Sequence, residues 1–288
     1  MGNEWFERFK EQKTAILGLA LILIFTLTGI FAEYIAPHDP YAVDLSQKLL
    51  PPGGGYLMGT DQLGRCIFSR LIFGVRTSLA TAVAATVLMV IIGLPLGILA
   101  GYMGGITGNL IMRLADIASS FPSSLLALAI VGVLGPSLVN MVVVFVVLWW
   151  APFARIVRAS VVKLRESAFV MAAESAGSSR AAIVFKHILL NSISPIIVLA
   201  TLRIAAVIMH IAGFSFIGLG SQPPAADWGV MLNDSRPYLT SYPLMMLWPG
   251  IAIVISVLAF NLVGEGLNDA LLPTSGSSAV VKEETEHG

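Results

Sequence analysis

Long uncharged apolar stretches alternate with short polar or charged segments along this chain, and their lengths are those of membrane-crossing helices. From Thr14 to Ala32 no charge interrupts TAILGLALILIFTLTGIFA, close to the roughly 20 residues a helix needs to cross about 30 Å of hydrocarbon. A charge at the bilayer centre costs at least about 2.5–3.5 kcal/mol, so the gaps between ionisable residues locate the spans. The stretch between Arg76 and Arg113 holds a second span, Ser78 to Tyr102, with Pro95 expected to kink it. Ile117 to Ala154 is uncharged and long enough for two helices folded back at Gly135-Pro136, a turn dipeptide. Leu190 to Phe214 and Leu247 to Leu267 supply the fifth and sixth spans. The expected fold class is all-α, a polytopic membrane protein of six transmembrane helices, and an even number of spans puts both termini on one side.

Composition agrees: 56% of the 288 residues are hydrophobic and 12% charged, against about 25% charged in soluble domains. That excludes an ordinary soluble enzyme. The 17 Lys and Arg balance the 17 Asp and Glu, so no basic excess points to nucleic acid. The single cysteine, Cys66, excludes an internal disulfide framework and a cysteine-based zinc site.

Charge placement sets the orientation. Eleven Lys and Arg fall on one face: Arg8, Lys10, Lys13, Arg113, Arg155, Arg158, Lys163, Arg165, Arg180, Lys186 and Lys282. Five fall on the other: Lys48, Arg65, Arg70, Arg76 and Arg236. The richer face is expected to be cytoplasmic, giving a multi-pass protein of the cell membrane with both termini inside. Trp149 and Trp150 are expected near the inner end of span four, and Trp228, Trp248, Tyr238 and Tyr242 near the outer ends of spans five and six. A basic arm before an apolar run also describes a signal peptide, but about 18 apolar residues exceed the usual 7–15 of a signal core; the segment reads as a retained anchor. The resulting divisions are an arm and first helix at 1–33, an outer loop at 34–75 with a flexible PPGGG break, a five-helix domain at 76–268, and a disordered tail at 269–288.

The longest inside segment, RESAFVMAAESAGSSRAAIVFKHILLN from Arg165 to Asn191, reads as a helix, a stop at Gly177, and a second helix capped by Ser178 or Ser179. Ala172, Ala173, Ser175 and Ala176 leave a low-profile surface that another protein can approach closely. The segment resembles the cytoplasmic coupling loop of ABC importer permeases, whose pattern is Glu-Ala-Ala, a Gly four residues on, and an Ile-Leu-Pro ending. Ala172, Ala173, Gly177, Ile188 and Leu189 match, while Met171 replaces the Glu and Leu190 the Pro. LMGTDQLGRCIFSRLIFGVRTSLA (Leu57 to Ala80), FSFIGLGSQPPAADWGVMLNDSR (Phe214 to Arg236) and LAFNLVGEGLNDAL (Leu258 to Leu271) are similar to blocks of the peptide and nickel branch. Cys66 stands where that branch usually has Asp.

The resemblance implies a type I ABC importer permease fold with a coupling loop at about 155–190. It also implies the second permease of a heterodimer, two ATPase subunits and an extracytoplasmic solute-binding protein, all beside the membrane lipid. Contact with the ATPase is expected through Ala172, Ala173, Ser175, Ala176, Gly177, Ser178 and Ile188. No GxxxxGK[ST] occurs, so ATP is expected to be used by the partner subunits, with no cofactor in this chain and no enzyme activity of its own.

Span five carries Arg203 and His210, seven residues apart and so on one helical face. Intramembrane ionisable groups point to function, and both are candidates for the translocation pathway. His210 in MHIAGFSFIGLG resembles the nickel-type permeases, and imidazole suits nickel. Arg203 would repel a bare cation but not an anionic nickel chelate; a peptide carboxylate would also suit it. The expected function is therefore import of nickel, as a chelate, or another metal complex, with dipeptide or oligopeptide import as the alternative. A different class, the ion-coupled secondary transporter, would favour an acidic residue at the centre of a span; the nearest, Glu265, lies near the inner end of span six. An intramembrane enzyme lacks a His-Asp, Ser-His or HExxH arrangement.

Overall fold

The computed structural model describes residues 4–184 and 189–271. Among these the chain is helical, with only isolated bridges Gly53–Tyr56 and Thr60–Cys66 outside the helices. A short α1 (Glu4–Glu11) leads into α2 (Lys13–Ile30), then a one-turn α3 (Ala32–Ile35). After the loop at 36–66, α4 (Ile67–Met103) is the longest element and runs unbroken through Pro95. It starts well before Ser78: its first turns carry Arg70, which donates to Pro40 O, and Arg76, which pairs with Glu33.

The stretch expected to hold the third span differs most from expectation. It is two helices, α5 (Gly105–Ser120) and α6 (Ser123–Leu134), bent by 82°. Pro122 explains the break: it lacks an N–H, and its ring forces Phe121 out of the helical region, to φ −102° and ψ 150°. The bend lets α5 carry Arg113 and Asp116, so the span begins upstream of Ile117. The turn at Gly135-Pro136 then separates α6 from α7 (Leu138–Trp149), and Asn140 Nδ2 donates to the carbonyls of Leu134 and Gly135 at 3.1 Å, closing the end of α6.

Trp150 keeps helical dihedrals, so α7 runs on into α8 (Ala151–Arg165). The basic residues from Arg155 to Arg165 are therefore on a helix, and the connector begins at Glu166. Trp149 lies mid-way along this run and is buried against its neighbours. Then come α9 (Ala168–Ser175), α10 (Arg180–Ile183), α11 (Leu190–Phe216), α12 (Trp228–Ser235) and α13 (Pro243–Leu271). Among the described residues five helices are long and apolar enough to cross a membrane, six if the bent pair is one span.

With apolar surroundings inside and out, such helices associate through close packing and small residues rather than through the hydrophobic effect. α4 is central, touching α2, α5, α7, α8, α11, α12 and α13. Its tightest seam runs against α8 through three glycines at four-residue spacing. A Cβ on Gly93 would meet Phe153 Cβ at 2.6 Å, on Gly97 Val157 Cβ at 2.6 Å and Ala154 O at 2.7 Å, and on Gly101 Val161 Cβ at 2.7 Å. Gly97→Ala is therefore expected to force the two backbones apart at a cost of about 1–3 kcal/mol, measured as a lowered thermal midpoint of the detergent-purified protein. Gly132→Ala, where nothing lies within 4 Å, is the control expected to show no such shift.

Residues 4 and 271 lie at the same end. α1 packs on α13, where a Cβ on Gly266 would collide with Ala15, whereas Ser235 reaches Met245 O at the other end of α13. The tail expected to be disordered from 269 is helical at 269–271, which close α13, and from 272 onward it lies outside the described residues.

Candidate functional site

Three places hold the chemistry: an elbow at one end, a polar pair in α11, and a charged cap at the opposite end. The elbow follows α8, whose end is tied to that of α4 by Arg165 Nη1 donating to Tyr102 O at 3.2 Å. Ser167 O accepts from the N–H groups of Val170 and Met171, starting α9. The Ala176 N–H closes the last turn on Ala172 O, and Gly177 then turns the chain at φ +80°. Ser179 Oγ accepts from the Ala182 N–H at 3.2 Å, so of the two candidate serines Ser179 caps α10.

The elbow has two faces. Val170 and Ile183 are fully buried in the main core, while Met171, Ala172, Ser175, Ala176, Gly177, Ser178 and Ser179 are exposed. Ala173 lies on α9. Ile188, and with it Lys186 and His187, lies outside the described residues. A shallow surface of small side chains, anchored from beneath by two aliphatics, suits rigid-body contact with another protein.

Arg203 and His210 are brought together by Trp149. The Arg203 guanidinium stands over the indole, 5.8 Å from its centroid, and the His210 ring meets the same indole edge-on at 4.6 Å. Phe145 stacks on Trp149 at 4.5 Å and holds it in place, with Phe214 edge-on to Phe145 at 5.3 Å. The Arg203 Nε is buried with no hydrogen-bond partner, and no acidic side chain pairs with Arg203 among the described residues. His210 Nδ1 is 2.7 Å from Ala206 O. A carbonyl only accepts, so Nδ1 carries the proton, and in the neutral ring it is Nε2 that keeps the lone pair. His210 lines a groove of about 310 Å³ between α11 and α13 that is otherwise apolar except for Asn261. Among the described residues no three His, Cys, Asp or Glu side chains cluster as a metal site.

The cap is the part that sequence reading missed. Arg65 bridges two carboxylates, Asp61 at 2.6 Å and Asp234 at 3.0 Å, and Arg70 Nε lies 3.6 Å from Asp61. Arg70 also donates to the backbone carbonyls of Pro40 and Ala225 at 3.2 Å. The loop at 36–66 and α12 are thereby pinned to the start of α4. Asp227 caps α12 by accepting from the Val230 N–H at 3.1 Å, and Trp228 Nε1 donates to Leu71 O at 3.0 Å beside Gly74, where a Cβ would strike the indole. Burial pushes the Asp227 carboxyl up from its ordinary range. The GTDQLGR segment carried a visible signal in its paired charges, but Asp234 is 169 residues from Arg65, and nothing local announces that partner.

Helical spans around a glycine-seamed centre, with isolated polar groups between them, define a polytopic helical membrane protein. The chain belongs to the family described as binding-protein-dependent transport system inner membrane component, matched over residues 93–275, and is a permease of the nickel and dipeptide branch of ABC importers. Residues 1–52 match the N-terminal transmembrane domain of oligopeptide transport permease C. It is 43% identical over 257 residues to the nickel transport system permease protein NikC of Escherichia coli (strain K12), covering 89% of this chain and 93% of the relative. It is also 43% identical over 271 residues to the dipeptide transport system permease protein DppC of Alkalihalophilus pseudofirmus, 94% and 89% of the two chains. A glutathione transport system permease protein, GsiD of Salmonella typhimurium, is 42% identical over 272 residues, 94% and 90%. Identity alone therefore does not separate nickel from peptide cargo.

Proposed function

We propose that this permease forms half of an alternating-access pathway, beside a second permease, and imports nickel as an anionic chelate. ATP is bound and hydrolysed by two separate ATPase subunits, and an extracytoplasmic solute-binding protein delivers the cargo. The elbow end and both termini face the cytoplasm, following the excess of Lys and Arg there. The exposed residues Met171, Ala172 and Ser175 to Ser179 seat on one ATPase, so closure of the ATPase pair tilts the helices as rigid bodies and re-aims the pathway.

The observation that carries the substrate reading is His210: its Nδ1–H is committed to Ala206 O, which in the neutral ring leaves Nε2 as a lone-pair donor, and the residue lines a groove with no carboxylate. A hydrogen bond on one ring nitrogen is the usual way a protein orients the other for a metal. One imidazole does not strip a metal from its chelator, but it supplies a passing contact. Arg203, without an acidic partner nearby, supplies the positive potential that favours an anionic complex. The same arginine supports the second reading, peptide import, through attraction of a carboxylate.

Uptake decides between them. Proteoliposomes holding the complete transporter and its binding protein are expected to take up labelled nickel with a chelator present, and His210→Ala is expected to reduce that uptake about tenfold. Dipeptide uptake unaffected by His210→Ala, with no nickel transport, would overturn the nickel reading in favour of peptide.

A further inference from the structure

We propose that the wedge between α2 and α4 is a binding site for a zwitterionic phospholipid of the phosphatidylethanolamine type. The two helices touch where Gly29 lies against Val75 and the Arg76 backbone; a Cβ there would sit 3.3 Å from Val75 Cγ1 and 3.5 Å from Arg76 N. Beyond that crossing α2 leans toward α13, and a groove of about 560 Å³ opens, walled by Phe25, Val75, Leu79, Val83 and Val87. Its walls are mainly hydrocarbon: the Thr26 hydroxyl proton is already given to Ile22 O at 2.7 Å, and Arg76 stands at the crossing end. Ile30, Val83 and Val87 are exposed along it, so it opens to the side, at the depth of the membrane.

Its length fits one leaflet. From Val75 to Val87 the groove follows α4 for about 18 Å, against roughly 15 Å for half of a 30 Å hydrocarbon core. Its width fits a slender occupant. A helix, about 10–12 Å across, is able only to lie over such a groove, whereas a methylene chain packed at carbon contacts of about 4 Å enters it.

Charge selects the headgroup. At the crossing, where the hydrocarbon ends, Arg76 and Glu33 stand 3.3 Å apart with their side chains 59% and 70% exposed. One cation beside one anion complements a headgroup that itself carries a phosphate and an ammonium. An anionic lipid such as phosphatidylglycerol would satisfy Arg76 and be repelled by Glu33.

The test is lipid retention by the complete transporter, purified from vesicles of equal phosphatidylethanolamine and phosphatidylglycerol and read by native mass spectrometry. Wild type is expected to keep phosphatidylethanolamine in at least fivefold preference. Glu33→Gln with Arg76→Gln, both exposed and outside the packed core, is expected to abolish that preference, and Ala84→Phe, which fills the groove, to lower total retained lipid. Unchanged preference in the charge variant would overturn the headgroup assignment. With Cys66 buried, a cysteine introduced at Ala84 also reports what covers the groove. Its cross-linking to the second permease would replace the lipid with a subunit interface.

Discussion

Replacing Gly177 with valine is expected to abolish transport while leaving the protein folded and in the membrane. The residue holds φ +80° and has no heavy atom within 4 Å of where a Cβ would stand, so the effect of a side chain there is conformational and not a clash. For an L-residue the left-handed region costs about 1–2 kcal/mol, and more for a β-branched one. Gly177→Val therefore unwinds the turn between α9 and α10, and the strip formed by Ala172, Ser175, Ala176 and Ser178 loses its shape. A graded series follows: Gly177→Asn tolerated, since asparagine enters this region readily, Gly177→Ala partly impaired, and Gly177→Val inactive. The measurements are solute uptake in proteoliposomes and co-purification of the ATPase subunits. A valine variant that transports at the wild-type rate with its ATPase bound would remove the elbow from the coupling route.

Arg65→Leu is expected to be the most destabilising single change in the cap. The guanidinium is 2% exposed and holds Asp61 and Asp234 on two of its nitrogens. Its removal leaves two carboxylates in a buried or half-buried site, with Arg70 at 3.6 Å as the remaining cation. Breaking one partner of a buried pair costs about 3–5 kcal/mol, because the stranded charge keeps its desolvation penalty. Arg65→Lys is expected to recover only part, since an ammonium lacks the planar fork that spans two acceptors. The loss is read as a lowered thermal midpoint of the purified complex, and as faster proteolysis of the loop at 36–66. An unchanged midpoint in Arg65→Leu would mean that the cap is held by Arg70 and Trp228 alone.

What could be read from the sequence was whatever local chemistry dictates. Gly177 announced the turn because only glycine takes that dihedral cheaply, and a serine after it announced the cap of α10. Charge gaps announced the spans because hydrocarbon penalises any ion within it. Other features escaped for physical reasons. Pro122 was visible, but an uncharged background hid that it splits a span at 82°. The basic run from Arg155 to Arg165 resembled a loop because water-facing helix turns and loops share a composition. Trp149 was read only for its depth in the membrane, and nothing in the sequence announced that its ring is the platform on which Arg203 and His210 meet. The seam of Gly93, Gly97 and Gly101 went unread, because nothing local says that Phe153, Val157 and Val161 of another helix stand against it. The Arg65–Asp234 pair depends on tertiary contact alone.

The glycine seam has a mechanical consequence. A 37-residue helix is a beam about 55 Å long, and ordinarily side chains between two such beams act as compliant spacers that absorb torsion. Along Gly93, Gly97 and Gly101 that cushioning layer is missing, so α4 and α8 share one stiff cross-section. Arg165 bolts the same pair together where α9 begins. A twist applied at α9 is therefore expected to reach the far end of α4, where Arg70 stands beside Asp61, with little slack, and the stiffness comes from the methyl groups that the seam leaves out.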